Sequence, residues 1–287
     1  MQLSEQNLRF FETFGYLAFP RLFLDEIGAI SNAFDHVWAA NGRELDGTPD
    51  DLDRQTIVVP FIDQHEYLSA LIDDPRILDI ATALCGDDFN YTTSDGNVYC
   101  GDTPWHSDGP PGKTYTSIKI AFYLDRLDAR SGSLRVMPGS HHQNDRYARS
   151  LGPIDYYRAP SDARTGLTEA AWNVEGQDVP ATALESQPGD VLVFHHELKH
   201  ASFGGDSRRR MFTINIQARH AEQDLGRIRD SISDLARHGM ERAYGRTMLQ
   251  TATNARMRHL EQRLANDGHL AALSAKARAA SHGTAGA

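Results

Sequence analysis

The chain has 287 residues, 40% of them hydrophobic and 24% charged, with a formal net charge of -10. That length and composition suit an ordinary globular protein with one sizeable core, and the acidic balance argues against a nucleic-acid surface, which needs clustered Lys and Arg. Cys85 and Cys100 form no C-x-x-C pair or disulfide framework, the first residues lack the basic and then apolar order of a signal peptide, and no run is long enough to span a membrane, so a cytoplasmic protein is expected.

Taken in chain order, Ser4 to Phe14 and Asp25 to Ala40 place apolar residues at helical spacing, the second as Ile27, Ile30, Phe34, Val37 and Trp38 with Asp25 as the expected N-cap. Two shorter helices are expected over His65 to Ile72 and Pro75 to Leu84, the latter capped by Asp74. From about residue 88 the period changes. DFNYTTSDGNVYC, TYTSIKIAFYL, SLRVMPGS, VPATAL, DVLVFHH and MFTINIQAR are short β-branched and aromatic runs separated by Gly, Pro and Asp, the pattern of a sandwich or jelly roll. Residues 141–178 form a polar insertion of the kind that serves as a lid or binding loop. After Arg219 the sequence returns to helix and ends in an Ala-rich tail expected to fray. One domain is expected over 1–287: a helical part to about 87, a β core over about 88–220 carrying the insertion, and C-terminal helices over about 221–287.

His196-Glu197-Leu198-Lys199-His200 matches H-E-x-x-H, which would make a zinc hydrolase of His196, Glu197 and His200 if it lay on a helix. It follows a Pro-Gly-Asp turn and the apolar run VLVF. In an extended strand, residues four apart are separated by roughly 13 Å, too far for one metal. Another constellation suits strands better. In WHSDG, His106 and Asp108 share one face of an extended segment. With one distant histidine, for which His200 is the natural choice, they make the two-His-one-carboxylate triad that holds Fe(II) and leaves positions open for oxygen and a chelating co-substrate. The Arg208-Arg209-Arg210 cluster opens the strand MFTINIQAR, and a guanidinium there would fork onto the far carboxylate of 2-oxoglutarate, with Ser202 sharing it.

Together these stretches resemble the phytanoyl-CoA dioxygenase family. The likeness runs from FFETFGYLAFPRLFLDE through WHSDG, KIAFYLD, SGSLRVMPGSH and PGDVLVFHHELKHASFGG to RRRMFTINI, roughly residues 8 to 220. It implies a double-stranded β-helix core of jelly-roll, cupin-like type, mainly β with flanking helices. It implies Fe(II) on His106, Asp108 and His200, and 2-oxoglutarate and O2 as co-substrates. It further implies a C–H bond hydroxylated with release of succinate and CO2. The family arginine begins a pattern of apolar residues three, five and seven positions on; Arg209 satisfies it with Phe212, Ile214 and Ile216, and Arg210 stays open. Keeping Asp108 argues against the related halogenases, which replace that carboxylate.

Lys119 and Asn97 are further candidates for the co-substrate pocket, with Tyr99 as possible lining; Trp105 is expected to pack, and His141, His142, His195 and His196 are expected not to ligate. Arg146, Arg149, Tyr156, Tyr157, Arg158 and Arg164 of the insertion point to a small polar or anionic substrate, with solvated loop charges as the equal alternative. The expected partner is a small molecule, with neither nucleic acid nor membrane. A non-catalytic jelly-roll binding protein is the remaining alternative; it would need neither the triad nor the arginine.

Overall fold

A computed structural model describes residues 2–42, 57–109, 114–142, 144–157, 159–160, 164, 166–205 and 209–283; Arg158 and Arg208 lie outside them. Helix α1 (Glu5–Phe14) begins in a reciprocal capping box between Ser4 and Asn7 and stops at Gly15, whose φ of 83° is left-handed. Gly15 is required for a second reason: a Cβ there would stand 2.6 Å from the His141 ring. The chain then enters β1 (Tyr16–Phe19), a strand that its short length hides between two helical patterns. Helix α2 (Ile27–Ala40) buries Ile30, Phe34, Val37 and Trp38 as expected, but starts later than Asp25, and Glu26 at the capping position makes no side-chain bond.

Next come β2 (Ile57–Val58), the short α3 (Glu66–Ser69), which passes into a 3-10 turn, and α4 (Pro75–Cys85), capped by Asp74 through the Arg76 N–H at 2.9 Å. The β core is β3 (Asn90–Tyr99), β4 (Thr103–His106), β5 (Ser117–Tyr123), β6 (Leu134–Val136), β7 (Thr182–Leu184), β8 (Val191–His195), β9 (His200–Ser202) and β10 (Arg209–Gln217). The insertion holds two short helices, α5 (Arg146–Ser150) and α6 (Leu167–Trp172). Past β10 the helices are α7 (Leu225–Ser233), α8 (Arg246–Gln250), α9 (Asn254–Met257), α10 (Glu261–Leu264) and α11 (Leu270–Gly283). They are shorter than the periodicity predicts, because a 3-10 turn at Asp234–His238 and a left-handed Gly239 break the first stretch. No described helix is long and apolar enough to cross a membrane.

All strand pairings among the described residues are antiparallel. One sheet runs β1-β8-β5-β10-β3-β2 and the other β4-β9-β6-β7, the two-sheet jelly roll that was expected. The stretch expected to be helical supplies both edge strands of the larger sheet.

The central strands read as continuous apolar runs because both faces of the larger sheet are covered. On the outer face Val191, Val193, Ile118, Ile120, Phe122, Phe212, Ile214 and Ile216 pack with Phe34, Trp38, Ile77 and Ile80 of α2 and α4. On the inner face Ala121, Tyr123, Leu192, Phe194 and Met211 meet Leu134, Val136 and Leu184 of the smaller sheet. Each of the larger side chains contributes roughly 1.5–3 kcal/mol by burial. Helices thus fix the sheet from outside and leave its inner face free to line a cavity.

His141 and His142 tie the turn after β6 to α1: their Nε2 atoms donate to the Glu12 and Thr13 carbonyls at 3.0 and 3.1 Å. His141 also packs against His142 and His195. Burial, then His142, pushes the His141 imidazole down to about 4 from 6.5, while its bond to Glu12 opposes this. The unfolded chain takes up that proton below pH 6.5 and the folded one only near 4, so stability is retained above 6.5 and falls across that window. The expected loss is about 1–2 kcal/mol after allowing for solvent screening. Melting temperature followed from pH 7 to 4 will drop less steeply in His141→Gln; an equal slope in both proteins refutes the assignment.

Candidate functional site

The smaller sheet places the key histidines by register. β4 and β9 pair so that His106 stands directly opposite His200, which puts both imidazoles on one face at cross-strand distance. Their ring centroids are 4.1 Å apart. Asp108 follows β4, its backbone N–H donating to the His196 carbonyl at 2.9 Å. Its carboxylate lies 4.0 Å from His106 Nε2 and 3.5 Å from His200 Nε2. The three offer ligand atoms that all lie within 4.8 Å of one another.

The opposite edges of both rings fix their chemistry. His106 Nδ1 donates to the Pro104 carbonyl at 2.7 Å and His200 Nδ1 to the Leu198 carbonyl at 2.9 Å. Each ring is therefore held in the tautomer that leaves Nε2 as a lone-pair donor, the arrangement that orients metal-binding imidazoles. Burial, the largest cause, pushes both pKa values down, His200 to about 3, which keeps the rings neutral. For Asp108, burial would raise the pKa, but the Lys119 ammonium more than offsets it, so the carboxylate stays ionised. Lys119 Nζ sits 2.9 Å from Asp108 Oδ2. Burial opposes its charge as well, and Asp108 and Asp95 restore it.

A cavity of about 750 Å³ opens from this cluster, lined among others by Tyr99, Lys119, Tyr157, Ser202 and Arg209. Strand alternation separates the two candidate arginines. Arg209 turns inward, 3% exposed, and donates through Nη1 to Ser202 Oγ and the Gly132 carbonyl, both at 2.6 Å, and through Nη2 to the Gly101 carbonyl. Those acceptors are neutral, and its buried Nε has no hydrogen-bond partner among the described residues. Burial, the main influence, pulls its pKa down. A buried guanidinium so placed is costly until an anion meets it, and the far carboxylate of 2-oxoglutarate has the required fork geometry. Gly132 and Gly205 leave it room: a Cβ would stand 2.1 and 2.5 Å from Arg209 atoms. Arg210 points to the opposite face, where it pairs with Asp125 at 2.9 Å and with Asp35 of α2 at 3.1 Å. It takes no part in the cavity.

Asn97 is buried but is not among the lining residues; its Nδ2 donates at 3.0 Å to Asp95, which does line the cavity. Trp105 packs with Phe203 and donates to the Gly176 carbonyl. His196 does face the cavity, but as a wall residue. Its Nδ1 meets Ser117 Oγ at 2.9 Å and its Nε2 meets Asn215 Oδ1 at 3.0 Å, so both ring nitrogens are engaged. The backbone from His196 to Lys199 is a turn between β8 and β9, with no helix to bring His196 and His200 onto one metal. The zinc-hydrolase alternative therefore lacks its geometry.

Sequence reasoning missed how the insertion is fastened to the site. Buried Lys199 pairs with buried Asp155, and Ser107 Oγ donates to the same carboxylate at 2.9 Å. Tyr156 N–H bonds to the Trp105 carbonyl, and Tyr157 stands edge-on to His106 with ring centroids 4.8 Å apart. Lys199 and Ser107 are direct neighbours of His200, His106 and Asp108 in sequence. That adjacency was a signal, but their partner could not be read from it. Arg146 and Arg149 lie on α5 away from the cavity, and Arg164 packs over Tyr156 beside a separate small pocket.

The family model for phytanoyl-CoA dioxygenase (PhyH) matches residues 11–211. Among solved structures, the chain is similar to SnoK, a non-heme alpha-ketoglutarate-dependent carbocyclase from nogalamycin biosynthesis. Identity is 25%, coverage 78% of this chain and 90% of that one, and the TM-score 0.57. Its fold is also shared with EctD from S. alaskensis, solved with 2-oxoglutarate and 5-hydroxyectoine, at 21% identity over 75% of this chain and 76% of that one, TM-score 0.54. HygX from Streptomyces hygroscopicus, solved with nickel and 2-oxoglutarate, shares it at 16% identity over 76% and 88% of the two chains, TM-score 0.56. No curated protein matches the chain by sequence.

Proposed function

We propose, for a chain that belongs to the phytanoyl-CoA dioxygenase family, that it hydroxylates a C–H bond of a small, polar or anionic molecule. Its cofactor is Fe(II) and its co-substrate 2-oxoglutarate. The observation that carries the reading is the convergence of His106, Asp108 and His200 beside a buried Arg209 that has no anionic partner among the described residues.

In this reading His106 Nε2, His200 Nε2 and the Asp108 carboxylate hold the iron, and Arg209 with Ser202 holds the distal carboxylate of 2-oxoglutarate. The bound metal and co-substrate supply oxygen activation, and R–H, 2-oxoglutarate and O2 become R–OH, succinate and CO2. The rest is positioning by the protein. The Pro104 and Leu198 carbonyls keep the two imidazoles aimed inward. Lys119 bonds Asp108 Oδ2 and keeps that carboxylate ionised. Tyr157 stands edge-on to His106 at the cavity wall.

Anaerobic addition of Fe(II) and 2-oxoglutarate is expected to give a weak visible charge-transfer band. The band will disappear in Asp108→Ala and persist in His196→Ala; the reverse pattern refutes the assignment and returns the zinc-type alternative.

A further inference from the structure

The cavity reaches past the three converging side chains to a wall made by the C-terminal helices, which lies beyond the family match at residues 11–211. Arg263 on α10 and Arg237 in the 3-10 turn after α7 bring positive charge to that wall. Arg263 is 2% exposed. Its Nη1 donates to Ser231 Oγ at 2.8 Å and it is bonded to the Tyr244 side chain, while its Nε is buried with no hydrogen-bond partner. It makes no ion pair among the described residues. The carboxylate that acts on it, Asp267, is already bonded by Arg242 Nε and the Ala243 N–H, each at 2.9 Å.

A buried cation with neutral bonds and a spare donor is a poor structural element and a good anion receptor. Arg237 stands exposed at the rim, its Nε directed at His238 Nε2 at 3.0 Å. Acidic groups also line the cavity: Asp234 shares the rim, and Asp95 lies on β3, bonded by Thr213, Asn97 and Asn215. They disfavour an anion along their own stretches of wall, which leaves Arg263 as the place for one.

Resting on the dioxygenase reading, we propose that the substrate carries an oxyanion, a carboxylate or a phosphonate-type group. Arg263 binds it, assisted by Arg237, so that the bond to be oxidised is turned back towards His106, Asp108 and His200. Two anions then occupy one cavity on separate arginines: the co-substrate on Arg209 of the larger sheet and the substrate on Arg263 of the C-terminal helices.

The test uses the full chain, saturated with 2-oxoglutarate and a divalent ion under anaerobic conditions so that Arg209 is already engaged. Ligand-observed NMR then measures binding of propionate, methylphosphonate and uncharged propionamide. Wild type is expected to bind at least one oxyanion and to discriminate against propionamide; the tighter of the two oxyanions identifies the substrate's group. Arg263→Gln is expected to weaken that binding about thirtyfold or more, and Arg263→Lys, which keeps the charge without the fork, by less. Arg237→Gln, at an exposed position, is expected to weaken it severalfold and carries the test with Arg263→Lys if Arg263→Gln does not fold. Equal binding of propionate and propionamide, or unchanged affinity in the arginine variants, overturns the proposal. A separate titration of 2-oxoglutarate into wild type distinguishes the two failures. Its absence sinks the dioxygenase reading, whereas 2-oxoglutarate binding without oxyanion binding sinks only the anion site.

Discussion

Arg209→Gln is expected to weaken 2-oxoglutarate binding by about thirtyfold to a thousandfold, the 2–4 kcal/mol range for losing one partner of a buried charge-assisted pair. The size follows from the environment. Among the described residues Arg209 donates through its Nη atoms to Ser202 and to the Gly132 and Gly101 carbonyls, all neutral, and its buried Nε has no acceptor, so the incoming carboxylate meets a buried charge in a place from which water is excluded. Arg210→Gln is the control. It removes ion pairs to Asp35 and Asp125 on the outer face and will change stability slightly while leaving the 2-oxoglutarate dissociation constant within about twofold of wild type. Titration of both variants in the presence of a divalent ion decides the matter: an effect in Arg210→Gln matching that in Arg209→Gln would falsify the assignment of the inward arginine.

The second large effect falls on stability. Lys199→Met removes the ammonium that pairs with the buried Asp155 carboxylate, and breaking such a pair costs about 3–5 kcal/mol. At roughly 2–4 °C per kcal/mol for a chain of this size class, the melting temperature will fall by about 6–20 °C. Adding Asp155→Leu to Lys199→Met will restore part of the loss, because the stranded charge is then gone. A fall below about 2 °C in the single variant would show that the pair does not fasten the insertion. Activity separates the two roles. Because Asp155 also precedes Tyr156 and Tyr157, the restored double variant is expected to remain slower than wild type.

Much of this site was legible because it rests on short-range spacing. His106 and Asp108 are two apart at a strand end, and His200 follows an apolar run and a turn, so residue types and local backbone pointed to the triad. Arg209 against Arg210 was not decidable from composition, since both are arginines. The register of β10 decides it, placing Phe212, Ile214 and Ile216 under α2 and α4 and Arg209 on the other face. H-E-x-x-H misleads only when read without its backbone: in a turn between strands His196 is a hydrogen-bonded wall residue, and the preceding turn and apolar run already argued against its ligating. The Lys199 bond to Asp155 depends on how the insertion folds back, and no local pattern encodes that. The insertion's arginines suggested an anionic substrate, whereas the cations that line the cavity include Arg237 and Arg263, whose place depends on how the C-terminal helices return to the sheet. β1 escaped notice because four residues between helical patterns carry too little periodicity.

The pairing of His106 against His200 across β4 and β9 has a bearing on which metal the protein carries. Backbone hydrogen bonds set the distance between the two nitrogen donors, so, on the proposed assignment, chelators are expected to strip the metal without unfolding the chain. A seat of two imidazoles and a carboxylate on a fixed frame does not reject cobalt, nickel or zinc, which bind nitrogen donors at least as tightly as Fe(II), zinc and copper more so. Loading with iron is therefore decided by which ion the surroundings supply, and protein purified in the presence of nickel or zinc will be well folded and inactive until that ion is exchanged.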